Sequence, residues 1–178
     1  MDIQSISITL AALSFIVAVT YYILVLRATE RNRRIQIVSQ LSRDLGTVEG
    51  MKYHFELLNM EWGDYDDFER KYGSDTNQEA ASIRYSMWAL YNSLGNMLRS
   101  GMVDGEDLWN TANVGIGTIY QWAKWNEIID EQRLRYNGRG YLKDFEYLAG
   151  EMLKFMLRED PLFKVPETFA RYIPDQAT

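Results

Sequence analysis

Apolar and polar positions along this chain follow two regimes. From Ile3 to Leu26 it runs 24 residues without a charged side chain, and Arg27, Arg31, Arg33, Arg34 and Arg43 then follow. A helix of that length rises about 36 Å at ~1.5 Å per residue, enough to cross a hydrocarbon core of ~30 Å with some tilt. Beyond Arg34 the apolar positions recur at the helical period instead. Ile37, Leu41, Asp44, Val48, Met51, Phe55, Leu58 and Trp62 step by four and three, with Asp44 the one polar member. Gly46, Thr47 and Gly50 interrupt this seam, and Thr47 is a capping residue, so the pattern predicts a stalk helix and a second helix over 47–62. The seam suits either a coiled-coil dimer or packing on the protein's own domain, and the second is preferred for 47–62.

The elements that follow are punctuated by caps and glycines. Asp64 reads as an N-cap, with Phe68 and Tyr72 facing inward and Gly73 as the stop. Thr76 and Glu79 have capping-box spacing, opening a helix with Ala80, Ile83, Met87, Leu90, Leu94 and Met97 as its seam and Gly101 past its end. Tyr85, Trp88 and Tyr91 add apolar surface on other faces, which predicts a central helix covered on more than one side. Asp104 caps the next run, where Trp109, Ala112, Ile116, Ile119 and Ala123 keep the period until Asn137-Gly138; Gly115 and Gly117 mark a break or a close crossing within it. A last helix is predicted over 141–158, with Tyr141, Phe145, Leu148, Met152 and Phe155 as its seam. No alternating β pattern occurs. All three prolines fall in the tail from Glu159, among Leu162, Phe163, Phe169 and Tyr172; such a tail straps across its own domain or docks on a partner.

The predicted fold is therefore all-α. Residues 1–26 form a transmembrane anchor, 27–45 a basic juxtamembrane stalk helix, 46–158 a bundle of about five helices, and 159–178 a proline-containing tail. A cleaved signal peptide fits the first segment poorly: its start carries Asp2 and no basic residue, the apolar run is long, and Leu24-Val25-Leu26-Arg27 is a poor cleavage site. Basic flanks stay in the cytoplasm, so the N-terminus is expected outside and everything after Arg27 inside the cytoplasmic membrane. Tyr21 and Tyr22 sit where interfacial aromatics are favoured.

Within the span, Ser7, Ala11, Ser14 and Ala18 place four small residues on one stripe. Small stripes let helix backbones approach in lipid, which suits a contact with a second copy or a partner helix; ordinary composition also produces them. Arg27, Arg31, Arg33 and Arg34 either set topology or recognise anionic headgroups, each contributing ~1 kcal/mol near such a leaflet. Membrane lipid and a protein partner or homo-oligomer are thus the expected partners.

Charge sharpens the division. Residues 27–43 carry a net of +4, whereas 44–178 set 14 Lys and Arg against 23 Asp and Glu, a net of −9. A body that acidic argues against nucleic acid and is repelled by an anionic leaflet. The chain has no cysteine, which excludes disulfides, zinc–thiolate sites, iron–sulfur clusters and thiol nucleophiles.

No catalytic set emerges, and no cofactor or metal site is implied. His54 is the single histidine, without metalloprotease or diiron spacing around it, and reads as a partly exposed helical residue. The acidic clusters at 61–69 and 104–107 are explained by caps and helix dipoles. Gly115-Ile116-Gly117 lacks the third glycine and preceding strand of a dinucleotide site. Trp88, Asn92, Trp122 and Trp125 are the residues most able to line an aromatic pocket, should the domain bind a ligand.

The order Phe68, Tyr72-Gly73, Tyr91-Asn92-x-Leu94-Gly95 and Leu98-Arg99-x-Gly101-x-Val103-Asp104, then Trp122, Ile128 to Glu131 and Phe145-x-Tyr147-Leu148, resembles an uncharacterised family of bacterial and archaeal proteins. In that family one N-terminal transmembrane helix carries a small cytosolic helical domain. The resemblance implies that architecture and transfers neither an activity nor a catalytic residue. From the residues themselves, Asn92 and Gly95 inside a helix point to a buried polar contact and a close crossing. The sequence favours a non-enzymatic membrane-anchored interaction module or accessory subunit; the alternative is a tethered ligand sensor or enzyme working in the aromatic pocket.

Overall fold

The structure is a computed structural model and describes residues 2–111 and 114–164. Among them are seven helices and no strand: α1 (Ile3–Leu45), α2 (Val48–Asn59), α3 (Tyr65–Tyr72), α4 (Gln78–Arg99), α5 (Gly105–Trp109), α6 (Gly115–Arg135) and α7 (Lys143–Glu159). The chain divides into two compact units, residues 1–39 and 40–178.

The first unit is helical from Ile3 onward. The apolar segment and the basic stalk are one uninterrupted helix, since neither Gly nor Pro interrupts it. Leu13, Phe15, Val17 and Leu24 stand more than half exposed along it. Among the described residues, α1 is the helix long and apolar enough to cross a membrane.

The second unit is built around α4, which packs on α2, α3 and most extensively α7; α6 closes on α7. Leu57, Phe68, Trp88, Tyr91, Leu94, Trp122, Trp125 and Phe145 form a fully buried core drawn from α2, α3, α4, α6 and α7. Local chemistry sets the boundaries. Thr47 accepts from the Gly50 amide at 3.0 Å and Asp64 from the Asp67 amide at 2.8 Å, as their residue types predict. At the end of α4 the Gly101 amide donates to Leu98 O (3.1 Å) and the Met102 amide to Met97 O (2.9 Å), a Schellman closure with Gly101 at φ 71°.

Several expectations are corrected. The N-cap of α4 is Asn77, which accepts from the Ala80 amide at 3.0 Å; Thr76 instead donates its hydroxyl to Glu69 O and Gly73 O, so the proposed Thr76–Glu79 box is not the cap. Asp104 occupies the N-cap position of α5 without a side-chain capping bond. The run from Asp104 to Asn137 is two helices, the break that Gly115 allowed, so the bundle of about five helices has six after α1 among the described residues. Gly115 marks both the restart and a close approach, because a Cβ there would lie 2.7 Å from Trp109 O. The restart changes the phase, leaving Ile116 43% exposed.

α2 also turns a face inward that its seam did not indicate. Val48 and Phe55 face solvent, whereas His54 and Leu57 face inward. The tail's Pro161 and Leu162 follow α7 at the surface; Pro166, Phe169, Tyr172 and Pro174 lie outside the described residues.

Candidate functional site

Of the four residues expected to line a pocket, the three tryptophans are interior and Asn92 is half-buried. Trp88, Trp122 and Trp125 are at most 1% exposed. Trp125 stacks on Trp62 with centroids 4.7 Å apart and meets the Trp88 ring edge-on at 5.4 Å; Trp122 meets Phe145 at 5.1 Å. Their faces are taken up by one another, as aromatic quadrupoles favour. Asn92 has a different task. Its Oδ1 accepts from the amides of Asp144 (3.1 Å) and Phe145 (3.2 Å). These are first-turn amides of α7, a helix whose N-cap, Leu142, sits at φ 53° and offers no capping side chain. Asn92 of α4 therefore caps α7 from across the bundle.

The helix packing also assembles a polar chain that sequence reasoning missed. His54, read as partly exposed, is 7% exposed and lies among α2, α4 and α6. The Trp125 indole donates to Gln121 Oε1 at 3.1 Å, which turns the Gln121 amide nitrogen toward His54. That nitrogen donates to His54 O at 3.0 Å and lies 3.2 Å from His54 Nδ1. The Tyr91 hydroxyl approaches the same Nδ1 at 3.4 Å. A donor-only indole orients the amide so that its nitrogen faces Nδ1, an arrangement that suits the neutral imidazole with its proton on Nε2. Burial acts in the same direction by lowering the imidazole pKa, and it raises that of the Tyr91 phenol. The sequence signal was the spacing of Gln121 and Trp125 on one helical face; their partner 67 residues from Gln121 carried none.

Arg84 is the second unforeseen group, a fully buried cation. Its Nη1 donates to Tyr72 O at 2.8 Å, and its guanidinium lies 4.6 Å from the Phe68 centroid, 4.8 Å from Tyr85 and 5.2 Å from Trp88. Among the described residues no carboxylate pairs with it. Aromatic faces thus supply much of the negative potential around it.

Among the described residues no three His, Asp or Glu side chains converge as metal ligands. On α1, Ser7, Ala11, Ser14 and Ala18 are exposed, and the Ser14 hydroxyl turns back to Leu10 O at 2.9 Å. Arg27, Arg31 and Arg33 are exposed and Arg34 is half-buried. No protein-family model, curated protein or solved structure matches this chain.

Proposed function

We propose that the chain is a single-pass protein of the cytoplasmic membrane, its N-terminus outside and its acidic helical bundle in the cytoplasm, acting as an interaction module or accessory subunit rather than an enzyme. The observation that carries this reading is the uncovered apolar surface of α1, where Leu10, Leu13, Phe15, Ile16, Val17 and Leu24 are all more than half exposed. Burying such a side chain is worth about 1.5–3 kcal/mol, so a row of them in water carries a large cost that lipid removes. The arginines from Arg27 onward support the orientation, and the stripe through Ser7, Ala11, Ser14 and Ala18 supports a helix partner within the bilayer.

The test is affinity purification in mild detergent followed by crosslinking. A stoichiometric partner or a defined homo-oligomer is expected; a strictly monomeric protein with no companion contradicts the interaction reading. The alternative, a sensor or enzyme using Trp88, Asn92, Trp122 and Trp125, has less support, since the three indoles are buried and Asn92 caps α7.

A further inference from the structure

Where α6 ends, the chain turns sharply and leaves a cleft of about 280 Å³ lined by Tyr85, Gln132, Tyr136, Gly138 and Tyr141. The turn is held firmly. The Gly138 amide donates to Arg133 O at 3.0 Å, Asn137 takes a left-handed conformation (φ 51°), and Arg133 Nε donates to Tyr141 O at 2.8 Å. Nothing in the order of residues groups these five, which come from α4, α6 and the α6–α7 connection.

Three properties of the cleft narrow what it can take. Its walls carry three tyrosine rings, whose faces and edges favour a flat aromatic partner. None of its five lining residues is charged, and burial pushes the Tyr141 hydroxyl up to about 12, so it remains a neutral donor and acceptor. Behind the Tyr85 ring lies the buried Arg84 guanidinium, which disfavours a cationic guest.

The third property is an unmet acceptor. Gln132 is 5% exposed, and its Oε1 is buried without a hydrogen-bond partner. A buried carbonyl left in that state costs about 1–3 kcal/mol, which a guest bearing an N–H would recover by a small rotation of the Gln132 amide toward the cleft that this residue lines. The volume lies just below the ~300 Å³ at which pockets for drug-sized ligands begin, so the guest has one or two fused rings.

We propose that this cleft binds a small uncharged heteroaromatic ring carrying an N–H donor, of indole or purine size, stacked among Tyr85, Tyr136 and Tyr141 with its N–H on Gln132 Oε1. The site is independent of the membrane reading and stands or falls apart from it.

Calorimetric titration of the full chain in detergent micelles tests it, with empty micelles as the blank. The probes are indole against 1-methylindole, and adenine against 6-dimethylamino-9-methylpurine, each pair differing in the N–H donor. At least one parent ring is expected to saturate at one per chain, with its donor-free analogue at least tenfold weaker. Gln132→Met keeps the side-chain length and removes the unmet carbonyl; it should melt no lower than the wild type and lose at least tenfold in affinity. Tyr136→Ala changes a 72% exposed residue and should weaken binding at least threefold even if the Gln132 variant fails to fold. No saturable binding at millimolar concentration, or unchanged affinity in a folded Gln132→Met or Tyr136→Ala protein, would overturn the proposal.

Discussion

A Cβ on Gly95 would fall on the backbone of Asp144, 2.5 Å from its carbonyl carbon and closer still to the oxygen. Hydrogen alone at this position lets α4 and α7 meet backbone to backbone, in the most extensive helix pair of the bundle. Gly95→Ala must push the helices apart, and overpacking of this kind costs about 3 kcal/mol. At Gly150, on α7 itself, an added methyl group would meet nothing within 4 Å. Gly150→Ala should stabilise by about 0.5–1 kcal/mol through helix propensity. Equilibrium denaturation of the two variants checks the opposite signs.

One turn before Gly95, Asn92 holds the same junction by hydrogen bonding. Asn92→Ala leaves two first-turn amides of α7 without their acceptor. Loss of a cap costs about 1–2 kcal/mol. Hydrogen exchange gives a sharper readout, since the amides of Asp144 and Phe145 should lose protection ahead of those in the middle of α7.

Arg84 makes a contrast of size against charge. Arg84→Ala empties a fully buried volume and removes the cation from its aromatic ring of neighbours, with an expected cost of about 3–5 kcal/mol. Arg84→Met fills much of the same space and deletes a buried charge lacking a carboxylate, so its cost should stay within about 1.5 kcal/mol. Urea midpoints in the order wild type, Met, Ala check this; a Met variant as unstable as Ala would show that the charge itself holds the site.

The His54 chain predicts an acid limb in stability. Burial lowers the folded imidazole pKa below its ordinary value of 6.5, so the unfolded chain binds the proton more readily. The stabilisation is complete above the unfolded pKa and is lost as pH falls below it, with a slope of at most about 1.4 kcal/mol per pH unit for one proton. A proton on Nδ1 would also face the Gln121 amide nitrogen, donor against donor. Denaturation midpoints between pH 7.5 and 5 should fall in the wild type, and the histidine's share should vanish in His54→Leu.

These relationships differ in how far the sequence revealed them. Thr47, Asp64 and Gly101 act through neighbours a few residues away, so residue type and spacing sufficed. Gly95 and Asn92 were legible as anomalies inside a helix, although their partner on α7 was not. The seam through Val48 and Phe55 was misread because α2 turns its His54 and Leu57 face to the bundle instead, a choice made by tertiary packing. The Arg84 cage and the His54 chain were not legible at all. A polar residue at helical spacing looks the same whether it faces water or partners 67 positions away, and only tertiary packing decides.

The central claim, an apolar helix crossing the membrane with the bundle inside, can be tested by site-directed labelling, because the chain contains no cysteine. Asp2→Cys and Val48→Cys, the latter at a position 89% exposed, are treated in intact cells with a membrane-impermeant maleimide. The account predicts that the cysteine at position 2 reacts in intact cells and that the one at position 48 reacts only after permeabilisation. Labelling at position 48 in intact cells, or recovery of the protein in the soluble fraction, would contradict it.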